Sequence, residues 1–524
     1  MFRNEPPLDF TVASERERLQ RALNQLEQAM QQEKLLACPI VGGKLIGTED
    51  VHLVQDPSEP TVCVGRVQYA DVTLALRALE ELRKGAPAWE RLAFEKRSAI
   101  IARAGGLMRE RRVELTALII REAGKPWREA DADVVEAIDF CEYYAEEMLR
   151  LGAPRRTQEV PGEDNVYFYQ PRGIALVIAP WNFPLAIACG MVTAALVTGN
   201  ATILKPAEQT SLIAFELAKI LLEAGVPGDA FAFLPGVGED IGSALVESPH
   251  VDVICFTGSK AVGLHIVKAA AEVRPEQRNV KKVIAEMGGK NAIIVDSDAD
   301  LDEAIKGVLY SGFGYSGQKC SACSRVIVVG DAYQPFISRL SDAASDICVG
   351  PARISSTLLG PVIDQEAQQR ILRTIAEAEK ENKLAFKGQV PSSGYFVPAT
   401  IFREVDPQSS LWKEEIFGPV IACLKVDSIE EALQVANDSP YALTGGFFSR
   451  SPANIELVRK EFKVGNLYVN RGCTGAIVCR QPFGGFRMSG VGSKAGGPDY
   501  LLQFLEPRVV TENMMRRGFS PEVE

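Results

Sequence analysis

Between residues 71 and 151 apolar side chains recur three or four positions apart, clearly in 72–82 and 134–149, which predicts a layer of helices. From Ile174 the pattern changes to short β-rich runs, IALVIAP, ATILKP, AFAFLPG, VDVICFTGS and KVIAEMGG, several separated by amphipathic stretches. Strands alternating with helices predict βαβ units and a mostly parallel sheet. One intervening helix is well punctuated. Thr210 or Ser211 can cap its start, Ile213, Leu217, Ile220 and Leu221 form its apolar stripe, and Gly225 followed by Pro227 ends it. A second αβ series runs through NAIIVDSDADLDEAI, SRVIVVG, IACLKV and GNLYVN and predicts a second domain. Residues 155–170 and 500–511 read as strands outside both series, with open edges that can pair between subunits. The first 37 residues combine a polar arm with a charged, peripheral helix around 14–34.

A chain of 524 residues exceeds what one hydrophobic core serves, so two or three structural units are expected. Its 46% hydrophobic and 24% charged residues sit near the globular average. A net charge of −11 argues against nucleic-acid and anionic-membrane partners, because phosphate binding needs clustered Lys and Arg. No apolar run approaches the ~18 residues that span a bilayer, and the polar, Pro-containing start is unlike a secretory signal, so a cytoplasmic address is expected. Eleven scattered cysteines do not make a disulfide framework. Only three histidines occur, His52, His250 and His265, so a histidine base or a histidine-rich metal site has few candidates.

Three segments carry candidate chemistry. Gly258, Ser259 and Gly263 stand where a strand passes into a helix; such a turn can receive a phosphate, or it can be tight packing with no ligand. Lys205 and Glu208, in LKPAE at a strand end, can bind an adenosine ribose, with Glu208 repelling a 2′-phosphate, or can form a plain surface pair. The segment GQKCSACSR, 317–325, puts Cys320 in a Gly- and Ser-rich turn. That thiol has three readings: an inert core cysteine, half of a redox or zinc site with Cys323, or a nucleophile. Zinc would need further ligands, and Cys473 and Cys479 are the only loosely paired candidates. Nucleophilic catalysis needs a base and an oxyanion donor. Glu286, beside two glycines that leave room for water or substrate, can be the base, and Asn182, in the WNFP loop, can supply a side-chain NH2.

With PWNFPL, LKPAEQT, FTGS, EMGGKN, GQKC, EEIFGPV and PFGGF all present and in order, the chain resembles the aldehyde dehydrogenase superfamily along nearly its whole length. The resemblance implies an α/β fold of two Rossmann-like open parallel-sheet domains plus a small β oligomerisation flap. It assigns 1–37 to the N-terminal arm and helix, 38–153 and 171–286 to NAD binding, 154–170 and 500–516 to the flap, and 287–499 to catalysis. It further implies that Cys320 attacks the aldehyde, that Asn182 holds the oxyanion, and that Glu286 activates the hydrolytic water. Ala179, Trp181, Lys205, Glu208, Gly238, Gly258 and Ser259 would line the adenosine and pyrophosphate site, and Glu415 and Phe417 would place the nicotinamide riboside. NAD is the expected cofactor, no metal is expected, and a homodimer or higher homo-oligomer is implied.

NEPPLDF near the start, GQKCSACSR, NRGCTGAIVCRQPFGGF and SKAGGPDYL are similar to the L-glutamate γ-semialdehyde (1-pyrroline-5-carboxylate) dehydrogenases. That resemblance implies a carboxylate clamp at Ser321, Gly475 and Ala476, with Phe183 and Phe483 packing on the substrate's methylene chain. Cys323 would be a spectator thiol or the partner of Cys320 in a reversible disulfide. The competing expectations are another semialdehyde dehydrogenase, or a non-catalytic protein that keeps the fold.

Overall fold

The β-rich runs after Ile174 form a sheet with five central parallel strands, in the spatial order Lys282–Glu286, Val253–Thr257, Ile174–Ile178, Ala201–Lys205 and Phe231–Phe233. Residues 2–515 are described by the computed structural model. The inner strands are apolar on both faces because helices cover both. The chain builds outward from Ile174–Ile178 on one side, then returns to add Val253–Thr257 on the other. Such a reversal opens a crevice beyond the carboxyl ends of the strands. Short antiparallel strands finish the edges: Ile40–Val41 with Lys44–Leu45 at one, Gly490–Val491 at the other. Gly490–Val491 falls inside the segment expected to build the second domain, yet it completes the first sheet.

The helices that flank this half include α1 Ala13–Gln31, α2 Val72–Arg91, α3 Phe94–Glu110, α4 Arg112–Ala123, α5 Trp127–Gly152, α6 Ala186–Val197 and α7 Ser211–Ala224. Left-handed Gly124 stops α4, and Pro126 immediately precedes α5, a stop and start that the residue types dictate. Helix α1 buries Leu19, Ala22, Leu23 and Met30 and leaves its charged face outward. At α7 the expected hydroxyl cap is absent: Ser211 donates instead to the Ala207 carbonyl at 3.0 Å. The cap comes from a distant residue. Glu122 on α4 accepts from the N–H groups of Leu212 (2.7 Å) and Ile213 (2.9 Å), one on each carboxylate oxygen. Burial pushes this carboxyl up to about 8 against those two bonds, and in its ionised form it also meets the positive pole of the helix.

The second series forms a seven-stranded sheet in the order Lys383–Lys387, Thr400–Arg403, Val420–Val426, Cys323–Val329, Asn291–Val295, Thr444–Phe448 and Asn466–Val469, parallel except for the first pair. A separate ribbon pairs Leu505–Asn513 with Glu163–Pro171 along the whole length of both, with Arg155–Arg156 on the far side. The expected strand from residue 500 begins late. Leu501–Phe504 form a buried single turn, because Tyr500 stacks on Tyr144 of α5 at 5.6 Å and Leu501 and Phe504 join the core. The expected flap extends to residue 516, which lies outside the described residues.

Replacing Glu122 by Ala strands two buried N–H groups and should cost about 2–4 kcal/mol. A fall in Tm of the purified variant by differential scanning calorimetry, larger than that of Ser211→Ala, is the expected result.

Candidate active site

The crevice is lined by the carboxyl ends of the first sheet and the amino ends of the second. Strand Ile174–Ile178 runs into Ala179, whose N–H bonds to the Lys205 carbonyl at 3.0 Å, and then into the WNFP loop. Trp181 meets Phe417 edge to face at 5.5 Å. Asn182 is buried; its side-chain NH2 donates one bond, to the Gln318 carbonyl at 3.1 Å. A primary amide has two N–H bonds, so one is left for an incoming oxygen.

What fixes this loop is a set of buried charges. The ammonium group of Lys125 donates to the Asn182 carbonyl (2.9 Å) and to Asp133 of α5 (2.9 Å), and lies 3.8 Å from the centre of the Phe183 ring. The other oxygen of Asp133 accepts from Ala186 N–H at 2.7 Å and so holds the first turn of α6. Lys319, next to the thiol, pairs with Glu129 at 2.7 Å. Glu136 also lies on α5, near enough to Cys320 for its charge to bear on the thiol, and burial followed by repulsion from Asp133 pushes its carboxyl up to about 8. Sequence reading passed over Lys125, Glu129, Asp133, Glu136 and Lys319. On α5 their signal was an acidic i, i+4, i+7 series, Glu129, Asp133 and Glu136, on one side of a helix that carries other charges elsewhere.

Cys320 is half-buried. Its carbonyl accepts from Asn291 Nδ2 at 2.7 Å, and the same amide nitrogen donates to the Ala322 carbonyl at 2.9 Å. Thr444 N–H closes the set on Asn291 Oδ1 at 3.0 Å, so three strand ends clamp the turn. Burial, then the Glu415 and Glu286 carboxylates, push the thiol up to about 12; the Ser321 N–H bond opposes this. Glu286 ends its strand. One oxygen accepts from Gly485 N–H at 3.3 Å, and the other is buried without a hydrogen-bond partner among the described residues. Burial pushes this carboxyl up to about 8. Lys494 donates to Gly465 (2.8 Å), Asn466 (2.9 Å) and Gly484, pinning the loop that supplies Gly485 and bringing an ammonium charge towards Glu286.

The two glycines after Glu286 do not leave room for water, as their sequence context suggests. A Cβ on Gly288 would collide with the Glu415 carboxylate, and one on Gly289 would come within 2.8 Å of the Cys320 carbonyl. Their space is filled by the site itself. Glu415 is held there by Gly289 N–H at 2.9 Å.

The residues expected to bind a nucleotide gather at the crevice. Lys205 pairs with Glu208 at 2.7 Å, and Gly238 N–H donates to the same Glu208 oxygen at 2.8 Å, leaving the second oxygen for a ligand. Ser259 caps the helix Lys260–Ala271 through Val262 N–H, and Gly258 precedes it. Gly263 has a packing reason: a Cβ there would strike Met287.

Of the residues expected to clamp a carboxylate, Ser321 is buried, and its carbonyl accepts from Thr444 Oγ1 (3.2 Å) and Cys473 Sγ (3.4 Å). Gly475 is left-handed, and Arg471 ties back the carbonyls of Thr474 (3.0 Å) and Gly475 (3.1 Å). With those oxygens turned aside, the N–H groups of Gly475 and the half-buried Ala476 remain to meet an anion. Phe483 exchanges backbone bonds with Ala495 (2.9 and 2.7 Å). Cys323 is buried in the second sheet's core, its thiol donating to the Arg325 carbonyl at 3.4 Å, while Cys479 is exposed.

The chain matches the aldehyde dehydrogenase family over residues 48–510 and belongs to that family. It is 46% identical to the 1-pyrroline-5-carboxylate dehydrogenase of Geobacillus kaustophilus, over 98% of this chain and 99% of the relative. Among solved structures, the 1-pyrroline-5-carboxylate dehydrogenase from Thermus with bound NAD superimposes with a TM-score of 0.95 at 43% identity, over 98% of this chain and 99% of that one. Proline utilization A from Bdellovibrio bacteriovorus, inactivated by N-propargylglycine, gives 0.97 at 50% identity. The match covers all of this chain and 54% of that protein, so this chain spans about half its length.

Because Glu286 is raised to about 8 in the folded chain, its contribution to stability is fully present below the ordinary carboxyl range and is lost as pH rises towards 8. Glu286→Gln cannot ionise, so the Tm difference between this variant and the wild type should widen in its favour from pH 5 to pH 8. A difference that does not change with pH would exclude a raised Glu286.

Proposed function

We propose that the chain is an NAD-dependent dehydrogenase that oxidises L-glutamate γ-semialdehyde, the open form of 1-pyrroline-5-carboxylate, to L-glutamate, the second step of proline degradation. The observation that carries this reading is the pairing of the Cys320–Glu286 site with a turn at Gly475–Ala476 whose carbonyls Arg471 turns away. A semialdehyde with an α-carboxylate presents an aldehyde to the first and an anion to the second. The names of the relatives support the same substrate.

Cys320 is protonated at rest, so as its C–S bond to the aldehyde forms its S–H proton would pass to the ionised form of Glu286, the neighbouring carboxylate, which returns it to solvent before the hydrolytic step. The thiohemiacetal oxyanion would take the free N–H of Asn182 and the backbone N–H of Cys320. Oxidation of this adduct to a thioester would use the hydride acceptor that bound NAD supplies. Glu286, raised to about 8, would act in its ionised form, taking a proton from water attacking the thioester with the oxygen that has no partner at rest, so this step should quicken as pH rises towards 8. Ser321, Gly475 and Ala476 hold the carboxylate, and Phe183 and Phe483 flank the methylenes.

Ala179, Trp181, Lys205, Glu208, Gly238, Gly258 and Ser259 would hold the adenosine and pyrophosphate, with Glu415 and Phe417 at the nicotinamide riboside. The fit is good at Glu208, where a carboxylate oxygen beside a buried lysine suits ribose hydroxyls and repels a 2′-phosphate. We assign 38–153 and 171–286 to NAD binding, 287–499 to catalysis, and 154–170 with the terminal strand to oligomerisation as a homodimer or larger homo-oligomer. A cytoplasmic address accords with the described residues, which include no helix long and apolar enough to cross a membrane.

NADH formation across a panel of semialdehydes should be fastest with L-glutamate γ-semialdehyde; a stronger preference for succinate semialdehyde would overturn the substrate. Cys320→Ala should abolish turnover and Cys323→Ser should retain it, because only the first thiol faces the crevice. Glu286→Gln should give a burst of NADH and then a steady state about 10²-fold slower, as the acyl-enzyme accumulates. Stopped-flow absorbance separates the two phases.

A further inference from the structure

Helix α5 carries two acidic stripes. At about 3.6 residues per turn, Glu129, Asp133 and Glu136 share one side, and Asp131, Asp139 and Glu142 share another, about a third of a turn round the helix. The first stripe serves Lys319, Lys125 and the thiol. The second receives the N-terminal arm. Asp131 takes Arg112 through both oxygens (2.7 and 2.7 Å) and accepts Leu8 N–H at 2.8 Å. Asp139 accepts Glu5 N–H at 2.7 Å on one oxygen and Asn4 Nδ2 at 2.8 Å on the other. Phe2 lies edge-on to Tyr143, Phe10 edge-on to Trp127, and Glu5 pairs with Arg109 at 2.8 Å.

Asn4 does more than dock the arm. Its amide nitrogen also donates to the carbonyl of Val478 at 2.9 Å, two residues beyond Ala476 in the loop that carries the anion-binding turn. That loop has little ladder of its own, and both Gly475 and Cys479 are left-handed. Its leading end is held by Arg471 and by Ser311, which accepts Cys473 N–H at 3.1 Å. Its trailing end reaches α5 by two routes: Cys479 N–H to the Gly496 carbonyl (2.9 Å) with Gly496 N–H to the Tyr144 hydroxyl (2.9 Å), and Val478 through Asn4 to Asp139.

We propose that the N-terminal arm is a specificity element, with Asn4 as a positioning residue that sets the Gly475–Ala476 turn at the distance from Cys320 that suits a carboxylated aldehyde. The inference rests on the reading of that turn as the carboxylate site. Asn4 touches neither substrate nor cofactor. Its loss moves one end of the substrate site and leaves the thiol, its clamp at Asn291 and the nucleotide crevice in place.

Asn4→Asp tests this directly, since a carboxylate of the same shape would face Asp139 and the Val478 carbonyl with no hydrogen to donate. KM for L-glutamate γ-semialdehyde, and Kd for L-glutamate by titration calorimetry, should each rise about tenfold. KM for NAD and kcat/KM for pentanal, which has no carboxylate, should stay unchanged. Asn4→Ala, which only deletes the two bonds, should give the same pattern at smaller size if the aspartate variant does not fold. Phe10→Ala loosens the arm at Trp127, away from the loop, and should lower Tm without changing the preference between the two aldehydes. Equal effects on both aldehydes, or none on either, would overturn the role of Asn4. A wild type that does not prefer the carboxylated aldehyde would instead remove the carboxylate site itself, and the inference with it.

Discussion

One buried ammonium group organises the chemistry. Lys125 has no exposure to solvent, and its charge is met by Asp133, the Asn182 carbonyl and the face of Phe183. Asp133 in turn anchors the first turn of α6. The loop between strand and helix, which carries Asn182, the proposed oxyanion donor, is therefore fixed from below by an ion pair instead of by its own backbone. Removing one partner of such a pair leaves the other charged and buried, a penalty of about 3–5 kcal/mol. That penalty makes the arrangement rigid, and an oxyanion donor is useful only when it need not reorganise as charge develops.

The same economy appears on the other wall. The second sheet contributes the amino ends of its strands, where Asn291 gathers the Cys320 turn and Thr444 into one hydrogen-bonded set. Glu415 occupies the space that Gly288 vacates, so the glycine pair after Glu286 is a packing requirement of Glu415 and the Cys320 turn. The crevice sits at a topological reversal, as open parallel sheets dictate, but its contents are set by side chains from both sheets.

Much of this was legible in the sequence because motif and element boundary coincide. Cys320, Asn182 and Glu286 lie where a regular run stops, and a chemically capable residue at a strand end is conspicuous. The helix Ser211–Ala224 was legible in its stripe and its glycine stop but not in its cap, since Glu122 is ninety residues away along the chain. The charges of α5 were hidden for the same reason: a carboxylate on a helix reads as surface until the lysine that meets it, from a separate turn, is placed beside it. The late start of the last strand reflects Tyr144 competing for Tyr500, a tertiary contact that no local pattern contains.

The protonated state of Cys320 has a consequence beyond catalysis. Peroxides and electrophiles react with thiolates, and a thiol pushed to about 12 offers almost none at neutral pH. On the proposed role of Cys320, the resting protein is thus chemically quiet at the sulfur it can least spare, and that sulfur becomes vulnerable only while a base is engaged to take its proton.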